Sequence, residues 1–141
     1  MLRKSTDHFS FRAGEGLPRV RGNFQKLEQV IINLLANACQ ALPGRDRAIR
    51  VSTSFDRSSQ SVILRVEDEG QGIPADLIAK VADPFFTTKR ETGGTGLGLS
   101  VSHGIIQEHK GEIRMESEIN RGTSIEIRLP AWRELKPVLE T

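Results

Sequence analysis

Between Asn23 and Gly44 the chain sets Leu27, Val30, Ile31, Leu34, Leu35, Ala38, Ala41 and Leu42 at helical spacing. Those positions form one apolar stripe, the pattern of a helix that lays one face on a core. Asn23 suits the N-cap, because its side-chain oxygen can accept an N–H of the first turn. "LPG" at 42–44 ends the segment. A helix this long with a single apolar face has to be covered by a second layer, so the rest of the chain must supply one.

The remaining segments read mostly as strands. Residues 7–13 alternate Phe9 and Phe11 with polar residues and suggest a strand, and 19–21 suggests a very short one after Pro18. "AIRVSTSF" (48–55) and "SVILRVEDE" (61–69) flank polar "DRSSQ" as a hairpin. A short helix is expected after Pro74, around "ADLIAKV", and 83–96 has no period and reads as a loop. A further helix is expected from about Leu97 to His109, with Gly111 at its C′ position. Strands at 112–118 and 123–130 close the chain through a turn at Asn120 to Gly122. This order is no regular βαβα alternation, which argues against a doubly wound parallel sheet. It predicts an α+β fold, a two-layer sandwich with three main helices on one face of a mixed, mostly antiparallel sheet. The chain's 141 residues suit one domain, over 1–130, with a tail at 131–141.

Charge and composition exclude several function classes. The 20 basic and 18 acidic residues are interspersed, which argues against a nucleic-acid surface. With no Tyr and one Trp, stacking platforms for single strands are not expected. Cys39 is the one cysteine, and with three scattered histidines no zinc spacing appears. No apolar run approaches the length of a membrane span, and "MLRKSTDHFS" lacks the apolar centre of a signal peptide. The expectation is a cytoplasmic, monomeric domain with no direct membrane contact, within a parent chain that could itself be anchored.

Glycines carry the functional signal. "GGTGLGLS" (93–100) holds four in its first six positions, just before the expected helix. A Walker loop needs Lys and Ser or Thr after its last glycine, and Leu99 follows Gly98 instead. "GQGIPA" (70–75) fits G-x-G-x-x-A, but Asp68 and Glu69 would stand beside a pyrophosphate and no second parallel strand follows. A composite pocket fits better. Asp68 ends a strand and can accept a hydrogen bond from an exocyclic amine such as that of adenine, while Gly70 and Gly72 let the chain turn beneath a flat ligand. Asn33 and Asn37 lie i, i+4 on one shoulder of the long helix. An amide oxygen there suits Mg²⁺, which otherwise keeps water and phosphate. Gly94 to Gly98 deliver a helix N-terminus that favours phosphate, and Lys89 and Arg90 precede it as cations.

Taken together, the segments resemble a known family. "QVIINLLANACQAL" (29–42), "DEGQGIP" (68–74), "DPFFTTK" (83–89) and "GGTGLGLS" (93–100) look like its N box, first glycine box, F box and second glycine box. "HKGEIRMES" (109–117) and "RGTSIEIRLP" (121–130) resemble its closing strands. Over about 17–130 the chain resembles the catalytic ATP-binding domain of sensor histidine kinases, in the superfamily of gyrase, MutL and the heat-shock ATPases. The short 83–96 lid and "NACQAL" look most like the nitrogen-regulation type. The resemblance implies the Bergerat-type fold, with ATP and Mg²⁺ bound. It implies that Asn37 coordinates the metal, Asn33 supports the phosphates and Asp68 binds adenine N6. Gly70, Gly72 and Ile73 would then shape the base pocket, with Thr123 supporting the base through water. Gly94, Thr95, Gly96, Leu97, Gly98 and Leu99 would form the phosphate side and hinge of a lid. Phe85 and Phe86 would anchor that lid or face a partner domain.

Two departures bear on mechanism. Many relatives carry Lys three residues after the metal-binding Asn, where this chain has Gln40. The γ-phosphate cation would then be Lys89 or Arg90, or come from a partner. Hydrolytic members carry Glu four residues before that Asn, where this chain has Asn33. An amide is no general base at neutral pH, which favours transfer to a better nucleophile over hydrolysis. None of His8, His103 and His109 sits in an H-E-x-x-x-P-like helix. The phosphoacceptor His is therefore expected on a separate dimerisation domain of the same parent, with a response regulator downstream. The alternatives are a serine/threonine kinase of the same fold, as in anti-sigma kinases, and a non-enzymatic nucleotide sensor. The blander readings are also clear: solvent-facing amides at 33 and 37, a turn former at Asp68, a flexible linker at 93–98, and solvated charges at Lys89 and Arg90.

Overall fold

The computed structural model describes residues 5–72 and 96–132, with 96–100 as backbone. The expected short helix after Pro74 and the loop at 83–95 lie outside the described residues. Among the described residues seven elements follow in chain order: β1 (His8–Arg12), α1 (Phe24–Ala41), β2 (Ala48–Asp56), β3 (Ser61–Asp68), α2 (Gly96–Glu108), β4 (Glu112–Glu118) and β5 (Gly122–Pro130). The five strands form one sheet in the order β1-β2-β3-β5-β4. β1 runs parallel to β2, and the other three pairs are antiparallel. A parallel neighbour cannot be reached by a tight turn. The connection from β1 to β2 is long enough because it contains α1.

Local chemistry explains the element ends. Asn23 caps α1, its side-chain oxygen accepting the Lys26 N–H at 3.1 Å. Leu42, extended at ψ 128°, ends the helix before Pro43. In the β2–β3 turn, Asp56 accepts the Ser58 hydroxyl at 2.7 Å and the Ser58 N–H at 3.0 Å. Sequence and structure differ at the end of α2. The left-handed residue is Lys110 (φ 59°), not Gly111. The Lys110 N–H reaches Gln107 O at 3.0 Å and the Gly111 N–H reaches Ile106 O at 2.9 Å. That pair of bonds puts Lys110 at C′ and Gly111 one residue later. The expected strand at 19–21 is a single bridge, Val20 to Ala131. Ala131 and Trp132 are also tied in, through Ala131 N–H to Gln60 O (2.9 Å) and Trp132 N–H to Arg19 O (2.7 Å).

Alternation along the strands gives the sheet two unlike faces. One carries Ile49, Val51, Val66, Ile125 and Ile127, which pack with Val30, Leu34 and Ala38 of α1 and with Ile105 and Ile106 of α2. Both of the described helices lie on that face, as expected for the two-layer sandwich; the third expected helix falls outside the described residues. Burying one such side chain fully contributes about 1.5–3 kcal/mol, so this layer is the main source of stability. The other face is a charged lattice. Arg50 pairs with Glu67 at 3.4 Å, Arg65 with Glu126 at 3.1 Å and Arg128 with Asp56 at 3.1 Å.

Candidate functional site

The inner face of the sheet changes character at one end. Cross-strand register places Ile49, Asp68, Thr123 and Ser117 in a single row over β2, β3, β5 and β4. Paired residues share a face, so the apolar core gives way here to a carboxylate and two hydroxyls. Thr123 is only 8% exposed. Its Oγ1 lies 2.7 Å from Ser117 Oγ, which also donates to Gly122 O at 3.0 Å.

The turn after β3 fixes the Asp68 carboxylate. Oδ1 accepts the Gly70 N–H at 2.9 Å, so the side chain turns back onto its own backbone. Gly70 is buried, and a Cβ there would come within 2.7 Å of Ala41 Cβ, Ala41 O and Asp68 Oδ1. The Gln71 N–H bonds Ala41 O at 3.0 Å, satisfying a carbonyl that the end of α1 leaves open. Gly72 has φ 78°, and a Cβ would overlap the Glu118 carbonyl. The Asn120 N–H meets Gln71 O at 2.7 Å. Glu69 holds the other side, accepting the Ala48 N–H at 2.7 Å and donating its own N–H to Ala48 O at 3.0 Å. The aspartate–glycine turn is therefore clamped between the last turn of α1, the start of β2 and the β4–β5 turn.

The two amides of α1 belong to the same stripe as that contact. Residues 33, 37 and 41 are spaced i, i+4, i+8, so they follow one side of the helix at about 6 Å intervals. Ala41 at the upper end touches Gly70. Asn33 at the lower end donates through Nδ2 to Ser102 Oγ of α2 at 3.4 Å, and Ser102 is fully buried. Asn37, half-buried, sits between them. The stripe thus runs from the Asp68 turn to α2, and the backbone of α2 begins at Gly96. The described part of the helix takes in Gly96, Leu97, Gly98 and Leu99 as its first residues.

Ile73, Lys89, Arg90, Gly94 and Thr95 lie outside the described residues, as do Phe85 and Phe86. Gln40 is exposed on α1. His109 is a structural clasp: Nδ1–H donates to Ile105 O at 2.7 Å, and Nε2 accepts the Asn23 N–H at 3.0 Å. His8 is exposed on β1. Three residues of the site were not singled out from the sequence. Ser117 could have been found from its inward position in "EIRMESE", two residues past Met115, once the register with Thr123 was known. Ser102 is a lone small polar residue on the buried side of a helix. Glu69 stands in the motif itself, where it serves only as a second carboxylate arguing against a pyrophosphate. A depression of ≈ 380 Å³ at this end of the sheet is lined by Asp68 and Thr123 and also by Arg50, Glu67 and Glu116 of the charged face.

Relatives carry the same framework. Residues 22–133 match the family described as histidine kinase-, DNA gyrase B-, and HSP90-like ATPase. The sensor histidine kinase ZraS of Escherichia coli is 40% identical over 120 residues, which cover 85% of this chain and 25% of that relative. The sensor kinase CckA of Brucella abortus is 39% identical over 135 residues, covering 87% of this chain and 14% of that relative. The chain therefore spans a quarter or less of the length of either one. Among solved structures, the nucleotide-free catalytic domain of histidine kinase ThkA superposes with a TM-score of 0.78 at 34% identity, covering 92% of this chain and 82% of that one. With the boxes in order and the sheet and helices arranged as in that domain, the chain belongs to the histidine kinase-, DNA gyrase B- and HSP90-like ATPase family.

Proposed function

We propose that this chain is the catalytic ATP-binding domain of a two-component sensor histidine kinase. In that role it presents the γ-phosphate of ATP to a histidine on a separate dimerisation domain of the same parent. The observation that carries the reading is the single helical stripe joining Asn33 and Asn37 to the Asp68–Gly70 turn at one end and to α2 at the other. On this reading a base lies at the turn, with phosphates beside the amides and toward the start of α2. Asp68 accepts from the exocyclic amine, and the close approach of Gly70 and Gly72 to Ala41 and Glu118 keeps the floor of the base site flat. The first N–H groups of α2, with the helix dipole, stabilise phosphate oxygens.

The donors present fit Mg²⁺. No group of three or more His, Cys, Asp or Glu able to hold a metal occurs among the described residues. One amide oxygen, from Asn37, suits an ion whose other ligands are phosphate and water. When bound, Mg²⁺ would neutralise charge on the phosphates. Asn33 would hold the phosphates without activating water, so catalysis is positioning plus charge neutralisation, with Lys89 or Arg90 as the cation on the transferring group. The response regulator is the partner that takes the phosphoryl group onward. No helix among the described residues is long and apolar enough to cross a membrane. The domain works on the cytoplasmic side, as a monomer docking to the dimerisation domain.

The test is phosphoryl transfer from γ-labelled ATP to added partners, one bearing a phosphoacceptor His and one bearing Ser. The expected product is an acid-labile, alkali-stable phosphoprotein on the His-bearing partner, with almost no label on this chain alone. An acid-stable product on the Ser-bearing partner, or autophosphorylation at His8, His103 or His109, contradicts the proposal. Tight ATP binding with neither partner labelled favours a nucleotide sensor instead.

A further inference from the structure

We propose that Ser117 sets the direction of the Thr123 hydroxyl proton and so makes this end of the sheet selective for a 6-amino purine over a 6-oxo purine. The inference rests on reading the Asp68 row as the base-binding end of the site. It concerns a positioning residue, since Ser117 acts through Thr123.

A count of protons fixes the arrangement of this pair. A hydroxyl has one proton to donate and two lone pairs that accept. Ser117 Oγ is 3.0 Å from Gly122 O and 2.7 Å from Thr123 Oγ1. A carbonyl oxygen can only accept, so the contact with Gly122 uses the Ser117 proton. The 2.7 Å contact must then use the Thr123 proton. Both bonds coexist in this order and in no other. Thr123 is buried, so its alternatives to these partners are few. With its proton committed to Ser117, Thr123 offers only lone pairs to anything above the row.

Its neighbour in the row is Asp68, paired with it across β3 and β5. A carboxylate also accepts only. The row therefore presents two acceptors side by side. An exocyclic amine carries two N–H groups and satisfies both, directly or through one water. A 6-oxo group would meet two acceptors with lone pairs of its own, which leaves buried polar atoms unpaired. Discrimination by an unmatched polar site is much stronger than discrimination by shape. Without Ser117, the Thr123 hydroxyl can turn its proton toward the ligand and donate to an oxo oxygen.

The experiment is calorimetry of the full chain with Mg·ATP and with Mg·ITP, which carries a 6-oxo group, on wild type, Ser117→Ala and Ser117→Thr. Urea midpoints are measured on the same samples. Wild type should prefer ATP. Ser117→Ala should narrow the ATP/ITP affinity ratio by about thirtyfold, with ATP weakened and ITP strengthened by about fivefold each, one hydrogen bond apiece. Ser117→Thr retains the hydroxyl and should keep the wild-type ratio whatever it does to stability. A wild-type preference that Ser117→Ala leaves unchanged overturns the role of Ser117 and leaves the site reading intact. A wild type that binds neither nucleotide, or both equally, overturns the base-binding reading and this inference with it.

Discussion

Gly70→Ala tests the joint between the long helix and the aspartate turn. An added Cβ would stand 2.7 Å from both the Cβ and the carbonyl oxygen of Ala41, and 2.7 Å from Asp68 Oδ1. Ordinary carbon contacts lie at about 3.5–4.0 Å, so the turn and the helix end must part by about 1 Å. Neither Ala41 atom is the tip of a flexible side chain. One hydrogen bond spans the gap, Gln71 N–H to Ala41 O, and a second, Gly70 N–H to Asp68 Oδ1, holds the turn that must shift. Losing them costs about 1 kcal/mol each. Overpacking adds about 1 kcal/mol, giving a total of about 2–3 kcal/mol. For a domain of ordinary stability, about 5–15 kcal/mol, the fold survives. With a urea slope of about 2 kcal/mol per molar, the midpoint should fall by about 1 M. Because the same carboxylate is displaced, affinity for Mg·ATP should fall at least about tenfold under conditions where the variant is fully folded. A midpoint within about 0.2 M of wild type, with unchanged affinity, would show that the turn and the helix end are not in contact as described.

Three further outcomes are expected. Asn37→Ala should abolish the difference in ATP affinity measured with and without Mg²⁺ by calorimetry, while wild type keeps it; a metal dependence equal to wild type contradicts the assignment of Asn37. Gly104→Ala lies inside α2 with nothing within 4 Å of the new Cβ among the described residues. It should raise stability by about 0.5–1 kcal/mol in urea denaturation, and a loss would mean that the helix is crowded at that point. The third outcome concerns acid. The Ser58 hydroxyl, the Arg128 guanidinium and the Ser59 hydroxyl hold the Asp56 carboxyl well below the usual carboxylate range, and Arg45 lowers that of Asp7. Each folded-state value is depressed, so the stabilisation is complete above about pH 4 and is lost as pH falls through the folded values. Urea midpoints should be flat toward neutrality and decline below about pH 4, less steeply in Asp56→Asn; identical profiles for the two proteins would exclude this network as the cause.

The parts of the fold readable from sequence were those set by local pattern. The α1 stripe, the Asn23 cap and the two hairpins follow from spacing and capping chemistry that neighbouring residues settle among themselves. The parallel pairing of β1 with β2 was not legible in that way, because it depends on a contact between segments about forty residues apart. The helix end at Lys110 was missed because glycine is the default left-handed residue. Here Lys110 takes that conformation and Gly111 supplies the N–H to Ile106. At the site, Asn33, Asn37, Asp68, Gly70 and Gly72 stand out by residue type at suggestive spacing. What spacing could not give is Ala41 as the surface that Gly70 needs, or Ser117 and Ser102 as hydrogen-bond partners. Those roles come from strand register and helix packing, and a serine's chemistry is silent until its neighbours are known.

A single titration reaches the centre of the account: backbone amide NMR of the full chain as Mg·ATP is added. The expected result is that signals of Asn37, Gly70 and Thr123, on α1, the turn and β5, move together and fit one dissociation constant. Shifts confined to the charged face, around Arg50 and Glu116, or separate constants for the helix and the turn, would contradict a single site joining them.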